Sequence, residues 1–206
     1  RIPHLLIDTL EMNNPCFVSN PINRCYYCKN ELFRDLVKIA LERNIRWVAD
    51  GSNCDDLTDH RPGRLAAQEL GVRSPLIEAG LFKEDIRKLS LEMGLKTWNK
   101  PALACLASRI PYGTEITGDL VQKVFKAEEL LHQLGFSQVR VRHHGEIARI
   151  EIMPEEMKYL LEGDARIKIA ETLKYLGYTY VTLDLLGYRT GSMNDIVINQ
   201  KLKIKN

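Results

Sequence analysis

Apolar residues recur along this chain in two textures, and the change between them falls near residue 110. Leu32, Phe33, Leu36, Val37 and Ala40 repeat at helical spacing up to Asn44, and Ile86, Leu89 and Met93 share one face of a helix over 84–93 that Gly94 stops. Short apolar runs at 2–8 and 45–49 are of buried-strand type, with a further strand over 74–77 and a short helix over 65–70. Strand, helix and strand in that order predict a parallel sheet, so residues 1–110 read as an α/β domain with ligands beyond the carboxyl ends of its strands.

Past the breakers Arg109-Ile110-Pro111-Tyr112-Gly113-Thr114 the pattern changes. Leu120, Val124, Ala127, Leu131 and Leu134 line one face of a helix, with Thr117 as its cap and Gly135 past its end. Residues 139–143 alternate with period two, turn at His144-Gly145 and return over 147–151, which is a hairpin signal. Helices over 154–161 and 164–176 and a strand over 178–184 complete a small α+β domain at 111–206.

Composition narrows the class. With 206 residues, 45% hydrophobic and 27% charged, the chain has ample core without staples. No run approaches the ~18 apolar residues of a membrane span, and no signal-peptide pattern opens it. Together with an odd cysteine count, five, this favours a reducing cytoplasm. A net charge of +2 is too mild to announce a nucleic-acid binder, and Lys201-Leu202-Lys203-Ile204-Lys205 reads as a solvated terminus. The chain opens at Arg1, without an initiator Met, directly into the 2–8 run, as though an earlier part of a sheet had been left out.

The cysteines carry the sharpest chemistry. In Arg24-Cys25-Tyr26-Tyr27-Cys28-Lys29 the two-residue gap lets both sulfurs face one point near a helix N-terminus, where the dipole favours thiolate. A third thiol, Cys105, follows far downstream, and no second Cys-x-x-Cys completes a closed zinc site. Three thiolates suit a cubane cluster with one iron left open. A zinc knot completed by Cys54 or His60, or five reduced thiols, fits the spacing equally well.

Two polar constellations accompany them. Asp55, Asp56 and Asp59 in the loop after residue 49 suit Mg²⁺ beside a nucleotide phosphate, and Arg61 suits an anion; the alternative is a solvated turn in which Asp59 caps the helix holding Pro62. On the hairpin, Arg140 and Arg142 project from the face opposite Val139 and Val141, about 7 Å apart along the strand. Such a pair suits phosphate or carboxylates, with Arg149, Glu151 and Arg189 as neighbours, unless it is a polar outer sheet face.

Several motifs agree on one family. Asn20-Pro21 with Arg24-Cys25-Tyr26-Tyr27-Cys28-Lys29, Asp50-Gly51-x-Asn53-x-Asp55-Asp56 with Arg61-Pro62-Gly63, Cys105-Leu106-Ala107-Ser108-Arg109-Ile110-Pro111-Tyr112-Gly113, Arg140-Val141-Arg142-His143 with Ala148-Arg149-Ile150-Glu151, and Gly187-Tyr188-Arg189-x-Gly191 run across the chain in family order. Together they resemble the LarE-type members of the PP-loop ATP-pyrophosphatase superfamily. These transfer sulfur to pyridinium-3,5-biscarboxylic acid mononucleotide on the way to the nickel-pincer nucleotide. The mild net charge ranks an RNA-thiolating enzyme of the same superfamily second without excluding it.

The resemblance implies that ATP with Mg²⁺ adenylates a substrate carboxylate and that a sulfur nucleophile then displaces AMP. It implies a [4Fe-4S] cluster on Cys25, Cys28 and Cys105 with an extra sulfide for transfer, or Cys105 as a sacrificial donor. Gly51, Asn53, Asp55, Asp56, Arg61, Ser108 and Arg109 fall in its nucleotide and site motifs. Arg140, Arg142 and Arg189 would hold the phosphate or carboxylates of a nucleotide-like substrate, in a homo-oligomer assembled through the second half. The family's Ser-Gly-Gly-x-Asp-Ser phosphate loop is nowhere in this sequence, so we expect a truncated chain whose Asp50 to Asp59 loop cannot hold ATP tightly.

Overall fold

Polar contacts, rather than an apolar stripe, start the longest element of the chain. The structure is a computed structural model that describes residues 3–58, 61–100 and 103–189, in two compact units, Arg1–Ala102 and Leu103–Asn206. The expectations for Asp59, His60, Gly191 and the 201–205 tail lie outside the described residues.

In the first unit a 3₁₀ turn, Glu11–Asn13, precedes α1 (Pro15–Val18), which Asn14 caps by accepting from the amide of Cys16 at 2.9 Å. Next comes α2 (Arg24–Glu42), which begins well before the apolar periodicity at Leu32. Its entry is set by buried Asn20, at φ 53°, whose side-chain oxygen accepts from Arg24 at 2.7 Å. Both cysteines of the pair therefore lie inside the helix, in its first turns. A 3₁₀ turn (Cys54–Leu57), α3 (Gly63–Glu69), α4 (Pro75–Glu78) and α5 (Lys83–Glu92) complete the unit. Its core joins Phe33 of α2 to Ala66 and Ala67 of α3 and to Val72.

The expected parallel sheet shrinks, among the described residues, to a single parallel bridge between Ala49 and Arg73. Asp50 donates to the carbonyl of Arg73 at 2.8 Å, and Arg73 to that of Val48 at 2.9 Å. Residues 3–10 form no strand, and Leu6 is 88% exposed. An apolar run becomes a buried strand only when partners flank it, and no described strand flanks this one. Residues 75–78 are helical instead of extended because Pro75 presets φ at the first helical position and offers no ladder N–H.

The second unit opens with a 3₁₀ turn (Leu106–Arg109) and α6 (Gly118–Gln133), capped by the Thr117 hydroxyl, which accepts from Leu120 at 3.2 Å. Strands β1 (Arg140–His144) and β2 (Ile147–Glu151) pair antiparallel through Gly145-Glu146, one residue later than the periodicity placed the turn. Gly145 takes φ 61°, which a non-glycine residue adopts only at a cost. A 3₁₀ turn (Pro154–Glu156), α7 (Met157–Leu161) and α8 (Ala165–Tyr175) cross over to β3 (Tyr180–Leu183), which lies parallel to β2. Sheet order is β1-β2-β3. Ala127 and Leu131 of α6 and Ile169 and Leu173 of α8 pack with Val141, Ala148 and Ile150 of the sheet into one core. Among the described residues this is a mixed α/β chain of eight α-helices and a small three-stranded sheet.

Period-two alternation sends Arg140, Arg142, His144, Arg149 and Glu151 to the other sheet face. That face is not the polar, solvated surface one reading of the sequence offered. Arg140 and Arg142 are each 4% exposed and Glu151 0%, because the Leu106–Arg109 turn closes over them.

Candidate functional site

Burying an arginine requires a carboxylate or carbonyls to replace lost water, and this unit supplies both. Glu151 takes a bidentate contact from Arg142 at 3.1 and 3.0 Å and a third from Arg149 at 2.9 Å. Arg142 also donates to the carbonyl of Ser108 at 2.8 Å. Arg140 donates to the carbonyl of Val139 and stacks its guanidinium over Tyr188, 5.1 Å from the ring centre. Burial, and then the neighbouring charge of Arg109, hold Arg140 below its ordinary pKa; Arg142 adds a smaller push the same way.

The third predicted arginine arrives by a tight corner. Gly187 sits at φ 67°, and a β-carbon there would lie 2.8 Å from the carbonyl of Ile152. Its neighbour Tyr188 donates to that same carbonyl at 2.7 Å. Arg189 then meets Asp184 at 3.4 Å, the carboxylate that also faces Arg149.

Cys105 is exposed at the start of the Leu106–Arg109 turn. What fixes the turn is Arg109, 3% exposed, which reaches back to the carbonyls of Ala104 at 2.8 Å and Cys105 at 3.0 Å and to the Ser108 hydroxyl at 3.2 Å. The rest of the guanidinium forms a fork on Glu128 of α6, at 2.8 Å for both bonds. Glu128 also accepts from the amide of Val141 on β1 at 2.8 Å. An accessible thiol and a buried cationic sheet face are thus hydrogen-bonded into one frame.

In the first unit, Cys25 and Cys28 stand three apart on α2, the first exposed and the second half-buried. Helix α3 leans against this turn: Tyr26 donates to Glu69 at 2.7 Å, and a β-carbon on Gly63 would lie 2.8 Å from Lys29 Cγ and 3.2 Å from the carbonyl of Cys25. Gly63→Ala should therefore cost about 1 kcal/mol by overpacking, although alanine is the better helix former. Urea denaturation that shows stabilisation instead would mean the two helices do not meet this closely.

The acidic loop works partly on itself. Asn53 accepts from Asp55 N at 3.0 Å while Asp56 accepts from Asn53 N at 3.0 Å, a reciprocal cap. Asp56 pairs with Arg61 at 2.9 Å, and Asp55 accepts from the amide of Lys83 at 2.7 Å. Gly51 is exposed beside them. Asp50, the first residue of the Asp50-Gly51-x-Asn53-x-Asp55-Asp56 motif, accepts from the Ser52 and Ser74 hydroxyls at 2.8 Å each and joins the loop to the end of the bridge.

None of the five cysteines is in a disulfide, and among the described residues no group of three or more His, Cys, Asp or Glu side chains is gathered for a metal ion. Cys25 and Cys28 lie in the first unit and Cys105 in the second. Within the first unit, two thiols one helical turn apart suit thiolate ligation. Among the described residues no helix is long and apolar enough to cross a membrane.

Two residues that matter here were missed from the sequence, Glu128 and Asp184. Glu128 had a signal, being an acidic residue inside the Val124, Ala127, Leu131 stripe of α6. Asp184 had none, since it follows β3 like any turn residue.

No family model matches the chain. It is 46% identical over 196 residues to an uncharacterised protein, slr1717, of Synechocystis, covering 95% of this chain and 73% of the relative. It is 42% identical over 184 residues to the pyridinium-3,5-bisthiocarboxylic acid mononucleotide synthase of Lactiplantibacillus plantarum, covering 89% and 66%. An uncharacterised protein, MJ0830, of Methanocaldococcus jannaschii is 32% identical over 173 residues, covering 84% and 67%. The chain thus spans about two thirds to three quarters of the length of these relatives.

Proposed function

Because the chain belongs to one family with slr1717, MJ0830 and the Lactiplantibacillus synthase, we propose that it is a LarE-type ATP-dependent sulfur transferase acting on a pyridinium dicarboxylate mononucleotide in nickel-pincer cofactor synthesis. The observation that supports this reading is the frame just described. An exposed thiol stands on a turn whose backbone is hydrogen-bonded to a buried arginine face, and no other exposed cysteine of the second unit competes with it.

Sulfur transfer to a carboxylate needs a leaving group, since the carboxylate itself is a poor electrophile. Adenylation by ATP, with Mg²⁺, supplies one: pyrophosphate leaves first, and AMP leaves when the sulfur nucleophile attacks. Within the first unit, Gly51, Asn53, Asp55, Asp56 and Arg61 are our candidates for the nucleotide and its cation. Arg140, Arg142 and Arg189, with Ser108 and Arg109 beside them, would hold the phosphate and the unreacted carboxylate of the substrate. The pKa of Arg140, lowered by burial and then by the neighbouring charge of Arg109, favours an incoming anion. Cys25, Cys28 and Cys105 would hold a [4Fe-4S] cluster, which supplies inorganic sulfide when bound. Homo-oligomeric assembly belongs to the same reading.

Replacing the cysteines one at a time tests it. Cys25→Ala, Cys28→Ala and Cys105→Ala should each abolish iron uptake on anaerobic reconstitution, whereas Cys16→Ala and Cys54→Ala should not. Equal loss from all five, or one zinc and no iron per chain, would overturn the cluster. Dehydroalanine at Cys105 after turnover would instead identify that residue as the consumed sulfur source.

A further inference from the structure

Among the described residues the arginine face contains two buried nitrogens without a hydrogen-bond partner, Nε2 of His144 and Nε of Arg149. The second lies 3.6 Å from Asp184 Oδ2, which is ion-pair range but too long for a hydrogen bond. Because Arg142 pairs with Arg149 across the strands and His144 with Ile147, His144 and Arg149 are diagonal neighbours on one sheet face. Buried donors left unmade are rare, and each calls for an explanation.

We propose that His144 and Arg149 form a subsite for a tetrahedral oxyanion such as a phosphate monoester, each donating to a different oxygen, with Arg142 as the adjacent charge. The proposal rests on the anion-binding reading of this face and adds to it two ligands and the shape of the group they hold. Two single donors set diagonally suit an oxyanion with several divergent oxygens. A planar carboxylate presents its two oxygens side by side and suits one guanidinium fork. The Arg149 side chain is 31% exposed, against 5% for Arg142, so this end of the face lies nearest solvent although the two nitrogens themselves are buried.

The groups facing His144 set the sign of its response to pH. Burial, and then Arg149 and Arg142, lower its pKa, and Glu151 opposes them more weakly. A bound dianion adds negative charge and raises it again. Affinity for the anion therefore increases as pH falls through the bound-state pKa and levels off below the free-state one. A rise of one unit corresponds to about a tenfold gain.

Sulfate is the probe, because its charge is constant between about pH 5 and 8, where His titrates. We expect NMR titration of the His144 ring to move to higher pH in sulfate than in chloride. His143, which faces the core against Tyr178 and feels His144 only as a minor neighbouring charge, should move far less. His144→Gln should remove the pH dependence of sulfate binding, and Arg149→Gln should weaken binding about tenfold. Sulfate bound with an unmoved His144 titration and wild-type affinity in both variants would overturn the subsite and leave the arginine face standing. Failure of wild-type protein to bind sulfate or inorganic phosphate at all would overturn both.

Discussion

Replacing Glu151 with alanine is expected to destabilise the second unit by about 3–5 kcal/mol, the cost of leaving buried charge unpaired. The carboxylate is fully buried and receives three hydrogen bonds from two guanidinium groups. At this chain length such a loss lowers Tm by roughly 6–20 °C. It should also speed hydrogen exchange across β1 and β2 first, since Arg140 and Glu151 are paired there. Adding Arg142→Met should restore part of the loss, because it removes one of the two guanidinium groups that Glu151 serves. A loss under about 1 kcal/mol would show that Arg142 and Arg149 have other sufficient partners.

Glu128→Gln should separate position from stability. The amide keeps one acceptor but gives up the charge and the fork on Arg109, and with them the link between the Cys105 turn and Val141. Amides of Ser108 and Ile110, which donate to the carbonyls of Cys105 and Ala107, should then exchange about 10–100-fold faster. On the proposed function, sulfur transfer should fall at least tenfold while binding of the proposed nucleotide substrate changes less, since Arg140 and Arg142 keep their places. Unchanged protection of Ser108 and Ile110 would mean the turn holds itself without α6.

The second unit was the more legible part of the chain. Its helix, hairpin and returning strand follow from period 3.6 and period 2 patterns whose buried faces are complete in the sequence at hand, from Val124 and Leu131 to Val141 and Ile150. The first unit was less so. The runs at 2–8 and 45–49 carry strand composition, but a strand exists only in its pairing, and one bridge at Ala49 is all the described residues provide. At the site, the motif arginines were visible as residues but not as buried ones. Alternation shows that Arg140 and Arg142 share a face, not that the segment 105–109, distant in sequence, covers it. The start of α2 was hidden for the opposite reason: Arg24 and Asn20 form it through a local polar bond that no hydrophobic pattern records.

The hold on residue 105 is exerted through carbonyl oxygens, so the fold reads the main chain there and is blind to the side chain. A socket of that kind separates scaffold from reagent. The same loop can present a thiol or a hydroxyl without being rebuilt, so a change of reactive group at this position needs one substitution and no compensating repair.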